Sequence, residues 1–198
     1  MFTGIVEALG EVVERIEDAS NVHFKIKSPI SSQLGVDNSV AHNGVCLTVT
    51  KVENDTHWVT AVDETLNRSN LGAWKVGSRI NLERSLVYNG RIEGHLVQGH
   101  VDTTATCVFV QDLGGSWTFT FELPPTRLLV NKGSVCVNGV SLTVVEPTDT
   151  TFSIAIIPFT FEHTTFKDLK AGDKANIEFD IIGKYLERWS APFIREKR

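Results

Sequence analysis

Hydrophobic and polar positions alternate over short runs along this chain, and most of the runs are rich in β-branched residues. They include Val45 to Val52, His57 to Val62, Thr104 to Val110, Trp117 to Leu123, Val140 to Val145 and Phe152 to Ile157. A period of two is the signature of half-buried strands. The spacing of roughly eight to twelve residues, with turn residues between, is that of β-sandwiches and small barrels. Asn43-Gly44 and Asn138-Gly139 predict type I′ hairpin turns, because both central positions of that turn need positive φ. Gly114-Gly115 predicts a third turn. Helical signals are brief. Ser28-Pro29 reads as an N-cap followed by proline at the first helical position, and Leu123-Pro124-Pro125 opens the matching stretch before Leu128-Leu129. The one longer helical pattern spans Ile181 to Ile194, where Ile182, Tyr185, Leu186 and Trp189 recur at three and four residue spacing.

The pattern occurs twice. Displacing the sequence by ninety-five positions, without a gap, lays Asn43-Gly44-Val45-Cys46-Leu47-Thr48-Val49 on Asn138-Gly139-Val140-Ser141-Leu142-Thr143-Val144. The same register matches Gly4 with Gly99, Phe24 with Phe119, Pro29 with Pro124, Ser39 with Ser134, Thr65 with Thr160, Asn81 with Asn176 and Glu83 with Glu178. Matches spread over a whole half mean a duplicated domain rather than a solenoid repeat. The expected architecture is all-β dominated, with tandem six-stranded Greek-key-like barrels, short helices and a C-terminal helix. The units run over residues 1–89, 90–180 and 181–198. Tyr88-Asn89-Gly90-Arg91 is a short turn-prone connection, so the two barrels should touch. The C-terminal helix has no counterpart in the first half. A helix that short is marginal alone, so its apolar stripe needs a partner surface, either the second barrel or another subunit.

Composition narrows the class. Of 198 residues, 41% are hydrophobic and 22% charged, and nineteen basic against twenty-four acidic side chains give a net charge of -5. Such mild acidity argues against a nucleic-acid partner, which usually demands a basic stripe. No stretch approaches eighteen uninterrupted apolar residues and the start lacks a basic, apolar leader, so neither membrane insertion nor secretion is expected. Cys46, Cys107 and Cys136 cannot all pair and show no CxxC spacing, which suggests a reducing compartment.

The two halves agree in framework and differ at particular polar positions. Cys46 aligns with Ser141, His100 with Ile5, Phe2 with Val97 and Thr3 with Gln98. Drift after duplication gives such differences; so does a pair of similar pockets that hold similar molecules in different roles. By residue type alone, Cys46 is a small buried hydrophobe, His100 a histidine satisfied in the turn after Gly99, Phe2 a core residue and Thr3 a capping hydroxyl. Ser39, Thr48 and Thr65 are ordinary strand or cap residues, Lys132 an exposed loop lysine, and Asp180 a solvated acid at a strand end. His95 and His100 are five residues apart with no matched carboxylate, so no metal site is expected.

Five motifs in order carry a resemblance: Met1-Phe2-Thr3-Gly4-Ile5-Val6-Glu7, Ala41-His42-Asn43-Gly44-Val45-Cys46-Leu47-Thr48-Val49, Glu64-Thr65-Leu66, Gly94-His95-Leu96-Val97-Gln98-Gly99-His100-Val101, and Asn138-Gly139-Val140-Ser141-Leu142-Thr143. Together they resemble riboflavin synthase of the trimeric alpha-chain type, over essentially the whole chain. The resemblance implies a cofactor-free transferase that dismutates two molecules of 6,7-dimethyl-8-ribityllumazine, giving riboflavin and 5-amino-6-ribitylaminouracil. It implies a homotrimer, with one ligand on the N-terminal barrel of one subunit and the other on the C-terminal barrel of its neighbour. Lumazine synthase becomes a candidate partner. A cytoplasmic location is implied, or the plastid stroma for a plant chain without its transit peptide.

The same resemblance assigns residues. His100 is the proton carrier, Cys46 a nucleophilic or polarising pocket residue, and Ser39 lies near the reacting ring. Thr48 and Thr65 contact the ligand of the N-terminal barrel, while Ser141, Thr143 and Thr160 take the equivalent places in the C-terminal one. Phe2 and Thr3 lie at the pocket mouth of the partnered subunit, Lys132 reaches the ribityl chain or a ring oxygen, and Asp180 is a charge partner at the site. Gly4, Val6, Gly99, Val101, Gly139 and Ile157 complete the expected lining. Phe159 and Phe161 depart from the family pattern, which more often shows a polar residue and a leucine there, and this bears on contacts near Thr160.

A non-catalytic lumazine- or flavin-binding optical protein shares the duplicated barrel. Those relatives are altered in the reactive motifs of the N-terminal barrel, whereas Ser39, Cys46 and His100 occur together here. A reductase flavin barrel is disfavoured by the absence of a GxGxxG after a strand.

Overall fold

The computed structural model describes residues 1–195, with side chains through residue 190. Residues 196–198 of the expected C-terminal unit lie outside the described residues. The first half forms β1 (Ala8–Asp18), β2 (Asn21–Lys27), β3 (Ser39–His42), β4 (Val45–Glu53), β5 (Thr56–Ala61) and β6 (Arg79–Arg84), with helix α1 (Asp63–Arg68) before β6. The second half forms β7 (Thr103–Asp112), β8 (Trp117–Glu122), β9 (Ser134–Val137), β10 (Val140–Val145), β11 (Thr151–Ile156) and β12 (Lys174–Phe179), with α2 (Pro158–His163) before β12. Helix α3 (Ile181–Arg195) follows. Each half closes into an antiparallel barrel, in the order β1-β2-β5-β4-β3-β6 and the corresponding β7-β8-β11-β10-β9-β12.

Alternation in the sequence explains which side chains enter. In β2, Val22, Phe24 and Ile26 turn inward, and in β8 the equivalents Phe119 and Phe121 do. Burying such a side chain stabilises by about 1.5–3 kcal/mol, so a one-residue slip in register would be costly. Closure needs bent strands. The β1–β2 register shifts between Val12 and Glu14, and the β7–β8 register between Cys107 and Phe109, at aligned positions of the repeat. Bulges of this kind raise the local twist and bend the strand.

Both predicted type I′ turns form: φ is 46° at Asn43, 79° at Gly44, 47° at Asn138 and 81° at Gly139. They meet back to back. A Cβ on Gly44 would lie 2.8 Å from the Gly139 nitrogen, so glycine is required by the contact as well as by the turn. Around them the asparagines exchange hydrogen bonds with two-fold regularity. The Asn81 amide donates to the Asn138 carbonyl at 2.8 Å and the Asn176 amide to the Asn43 carbonyl at 2.9 Å. The barrels therefore touch through a polar, hydrogen-bonded seam.

Two expected helices are absent. At Ser28-Pro29 the chain makes a turn and then a single 3₁₀ turn, Ser31–Gln33. The Ser28 hydroxyl is spent on Ser31 Oγ at 2.8 Å and does not cap a helix. At Pro124-Pro125 the chain bends without forming a helix, because proline disfavours the α conformation in the residue before it. The flanking Leu123 and Thr126 N–H groups donate to the carbonyls of Thr150 and Asp149 instead.

Candidate functional site

Cys46 and Thr48 pair across the β3–β4 hairpin with Ala41 and Ser39. These four side chains face away from the first core, which takes Val40, Val45, Leu47 and Val49. The second barrel repeats this with Ser141 and Thr143 opposite Cys136 and Ser134. The candidate polar residues thus lie on the outer faces of the barrels, where a strand cannot enclose a ligand by itself.

What covers those faces is a pair of crossing segments. The segment leading into β1 runs over the second barrel: the Ser141 N–H donates to the Gly4 carbonyl at 2.7 Å, and Val6 packs against the second core. The segment leading into β7 runs over the first barrel: the Cys46 N–H donates to the Gly99 carbonyl at 2.9 Å, and Val101 packs against the first core. Gly4 and Gly99 have φ of 78° and 81°, and a Cβ on either would lie 2.6 Å from Ser141 Cβ or 2.5 Å from Cys46 Cβ. Only glycine lets the segments come this close.

Each crossing segment is anchored by a buried carboxylate. Glu83 accepts from the Thr3 N–H at 2.6 Å, the Thr3 hydroxyl at 2.8 Å and the Gly4 N–H at 3.0 Å. Glu178 accepts from the N–H groups of Gln98 at 2.6 Å, Gly99 at 2.8 Å and His100 at 2.8 Å. Desolvation raises the pKa of both acids, and the donated N–H groups oppose that rise. The repeat match of Glu83 with Glu178 signalled this pair in the sequence. Its role as a clamp did not follow from the match, because the crossing of the segments is a tertiary fact.

On the first barrel a recess of about 250 Å³ brings Cys46, Thr65, Gly99, His100 and Val101 together. Thr65 comes from α1, whose start carries Asp63 and Glu64, a favourable first turn. Glu64 and Arg68, an ion pair at 3.3 Å, complete the rim. These two were missed; the acidic start of α1 is the signal that could have placed them. Cys46 is half-buried and the His100 side chain is exposed. Ser39 shares the hairpin face but opens into a different cleft, of about 590 Å³, with Thr3, Glu7, Arg84 and Arg91. A cleft of about 680 Å³ lies between the barrels and holds none of the candidate groups.

On the second barrel Ser141 lies under Gly4, and its hydroxyl is 2.6 Å from His95 Nδ1. Thr160 sits in α2, opened by Pro158, with Ile157 and Phe159 exposed beside it. Gly139 is taken up in the seam between the turns. Thr143 and Lys132 are exposed, and Lys132 occupies a left-handed turn with φ 66°. Asp180 accepts the Ile182 N–H at 2.9 Å at the start of α3. Phe2 is wholly buried among Ala41, Val97 and Cys136, behind Cys46. Cys46, Cys107 and Cys136 are all free thiols.

The profile of the Lumazine binding domain matches residues 3–85 and again 98–180. Riboflavin synthase of Mycobacterium bovis is 43% identical over 95% of this chain and 97% of that one. The Bacillus subtilis protein of the same name is 38% identical over 96% of this chain and 89% of that one. The chain belongs to the riboflavin synthase family. The riboflavin synthase of Saccharomyces cerevisiae is a further relative, 37% identical over 95% of this chain and 85% of its own length, so the likeness extends to a eukaryote. A solved structure of LumP complexed with riboflavin superposes with a TM-score of 0.84 over 90% of this chain and 99% of that one. At 21% identity that likeness shows the fold alone. The full-length matches to riboflavin synthases favour an enzyme of this type over an optical ligand carrier. Among the described residues no helix is long and apolar enough to cross a membrane.

Proposed function

We propose that this chain converts two molecules of 6,7-dimethyl-8-ribityllumazine into riboflavin and 5-amino-6-ribitylaminouracil by moving a four-carbon unit from one to the other. The products together contain the atoms of the two substrates, so the dismutation balances with no external oxidant or reductant. The observation that carries this reading is the recess that joins Cys46 and Thr65 of one repeat to Gly99, His100 and Val101 of the other. One lumazine lies there, with Thr48 and Ser39 further along the same face. The second lies on the C-terminal barrel against Gly4, Val6, Ser141, Thr143 and Thr160, with Ile157, Lys132 and Asp180 at its edge.

Positioning dominates the chemistry, since holding two rings in reacting register is worth up to roughly 7–11 kcal/mol. His100, which lines the recess, takes the proton of the acidic C7 methyl group as general base. Cys46 and Ser39 polarise or attack the facing ring. Hydroxyls suit the remaining positions because the ring edge and ribityl chain present both donors and acceptors.

At about 250 Å³ the recess is smaller than the roughly 300–1,000 Å³ of complete small-molecule sites, so a second surface must close it. That surface is the C-terminal barrel of another copy. The exposed stripe of Ile182, Tyr185, Leu186 and Trp189 on α3 supports a homotrimer joined by this helix. Free thiols at all three cysteines support a reducing compartment such as the cytoplasm, where a lumazine synthase would supply the substrate. Incubating the pure protein with the lumazine and recording absorbance tests the reading: riboflavin and the pyrimidine should form in equal amounts. Tight binding without turnover would instead support the optical role.

A further inference from the structure

His95 lies between the barrels, outside every residue assigned above, and its side chain is directed at the C-terminal site. Its Nδ1 is 2.6 Å from Ser141 Oγ. Its Nε2 is buried and has no hydrogen-bond partner among the described residues. The segment cannot shift easily. The His95 N–H donates to the Thr3 carbonyl at 3.1 Å, and Thr3 is itself clamped by Glu83. A side chain on Gly94 would collide with that carbonyl, and its Cβ would lie 2.7 Å from Ser141 Cβ. Gly94 therefore lets the chain lie flat over Ser141 and delivers the imidazole to it.

The direction of the hydrogen bond follows from the nitrogen left alone. Burial lowers the His95 pKa, opposed by the Asp180 charge, so the ring is neutral near pH 7 and carries one proton. A buried N–H without an acceptor is rarer than a buried acceptor without a donor. The proton therefore sits on Nδ1, which donates to Ser141 Oγ, and Nε2 is bare. With its oxygen already serving as acceptor toward His95, the Ser141 hydroxyl turns its own proton outward. The first barrel has no such device: among the described residues no histidine is hydrogen-bonded to Cys46, the residue aligned with Ser141.

We propose that His95 is a positioning residue that makes Ser141 a hydrogen-bond donor to an acceptor atom, a carbonyl oxygen or bare nitrogen, of the lumazine on the C-terminal barrel. This rests on the reading of Ser141 as a ligand contact. It also makes the two pockets differ in polar character at equivalent positions, with a directed O–H on one and a free thiol, a weak donor and acceptor, on the other.

The test uses the full-length protein and steady-state turnover of the lumazine. His95→Leu should raise KM by about tenfold, as expected for one lost hydrogen bond, and lower kcat less, with an unchanged melting temperature. His95→Asn, whose amide N–H replaces Nδ1–H, should restore most of the parental KM. The double variant His95→Leu/Ser141→Ala should be no worse than Ser141→Ala alone, because the histidine acts only through the serine. A merely structural histidine would give additive losses and no rescue by asparagine, and either result overturns the proposal. Parental KM for His95→Leu beside an impaired Ser141→Ala overturns it while leaving the ligand site intact. A Ser141→Ala variant with parental kinetics removes both.

Discussion

His100 owes its place to a carboxylate on the other barrel. Glu178 takes its N–H at 2.8 Å, while the imidazole hangs over Cys46 of the first repeat. His100→Gln and Cys46→Ala should each lower turnover by about tenfold or more, within the range of a general acid or base, while riboflavin binding, read by fluorescence quenching, survives. Parental turnover in both would show that positioning alone suffices. The difference at these two positions was legible in the sequence, because the repeat sets Ile5 and Ser141 against His100 and Cys46; the roles proposed for them rest on the family resemblance. His95 was not legible. Its meaning depends on its contact with Ser141, forty-six residues away, and no spacing rule encodes that contact.

At the scale of elements the two barrels differ most in one buried chain of polar groups. In the first, Ser28, Ser31, His57 and His42 are linked at 2.8, 2.8 and 2.9 Å, and His42 Nδ1 donates to the Val40 carbonyl at 3.0 Å. A carbonyl can only accept, so His42 Nε2 is bare and His57 Nε2 carries the proton between them. The second barrel has Val137 and Phe152 at the aligned histidine positions. Burial, with repulsion between the two rings, lowers the His42 pKa to about 3; burial lowers that of His57 to about 4. Both lie below the roughly 6.5 of an unfolded histidine, so the unfolded chain binds protons first. Stability is full above about pH 6.5 and falls as the pH drops toward about 4, by up to ~1.4 kcal/mol per pH unit for each histidine. Glu83 and Glu178, whose pKa values are raised, work against this loss below their own range. Acid melts should therefore show the first barrel failing before the second, and His42→Val/His57→Phe should flatten the dependence. An unchanged acid slope in that variant would remove the histidine chain as its cause. The strands and both hairpin turns could be read from alternation and Asn-Gly. The helix expected at Ser28 does not form, because its cap hydroxyl belongs to this chain of polar groups, and α1 and α2 were hidden within strand-like surroundings.

At the scale of the whole molecule, the recess beside Cys46 is assembled from both repeats within one chain, and Ser141 does not line it. On the proposed function, two lumazines in reacting register need a second copy. Helix α3 is tied to the second barrel by Lys184, 2.6 Å from Asp102, and leaves Trp189 69% exposed. Deleting residues 182–198 should give a folded monomer with little turnover, by light scattering and the lumazine assay; an active trimer would assign the contact elsewhere. The duplication and the amphipathic helix were readable from sequence, but the crossing of the leading segments was not, since it pairs residues eighty positions apart through Glu83 and Glu178. The most direct test of pairing between copies is to co-express His100→Gln chains with Ser141→Ala chains and assay the mixed assembly. If one copy's N-terminal site works against another's C-terminal site, the mixture contains intact pairs and should turn over lumazine well above either variant alone. Activity no higher than the average of the two separate variants would mean that both rings are held by a single chain, and would contradict the account.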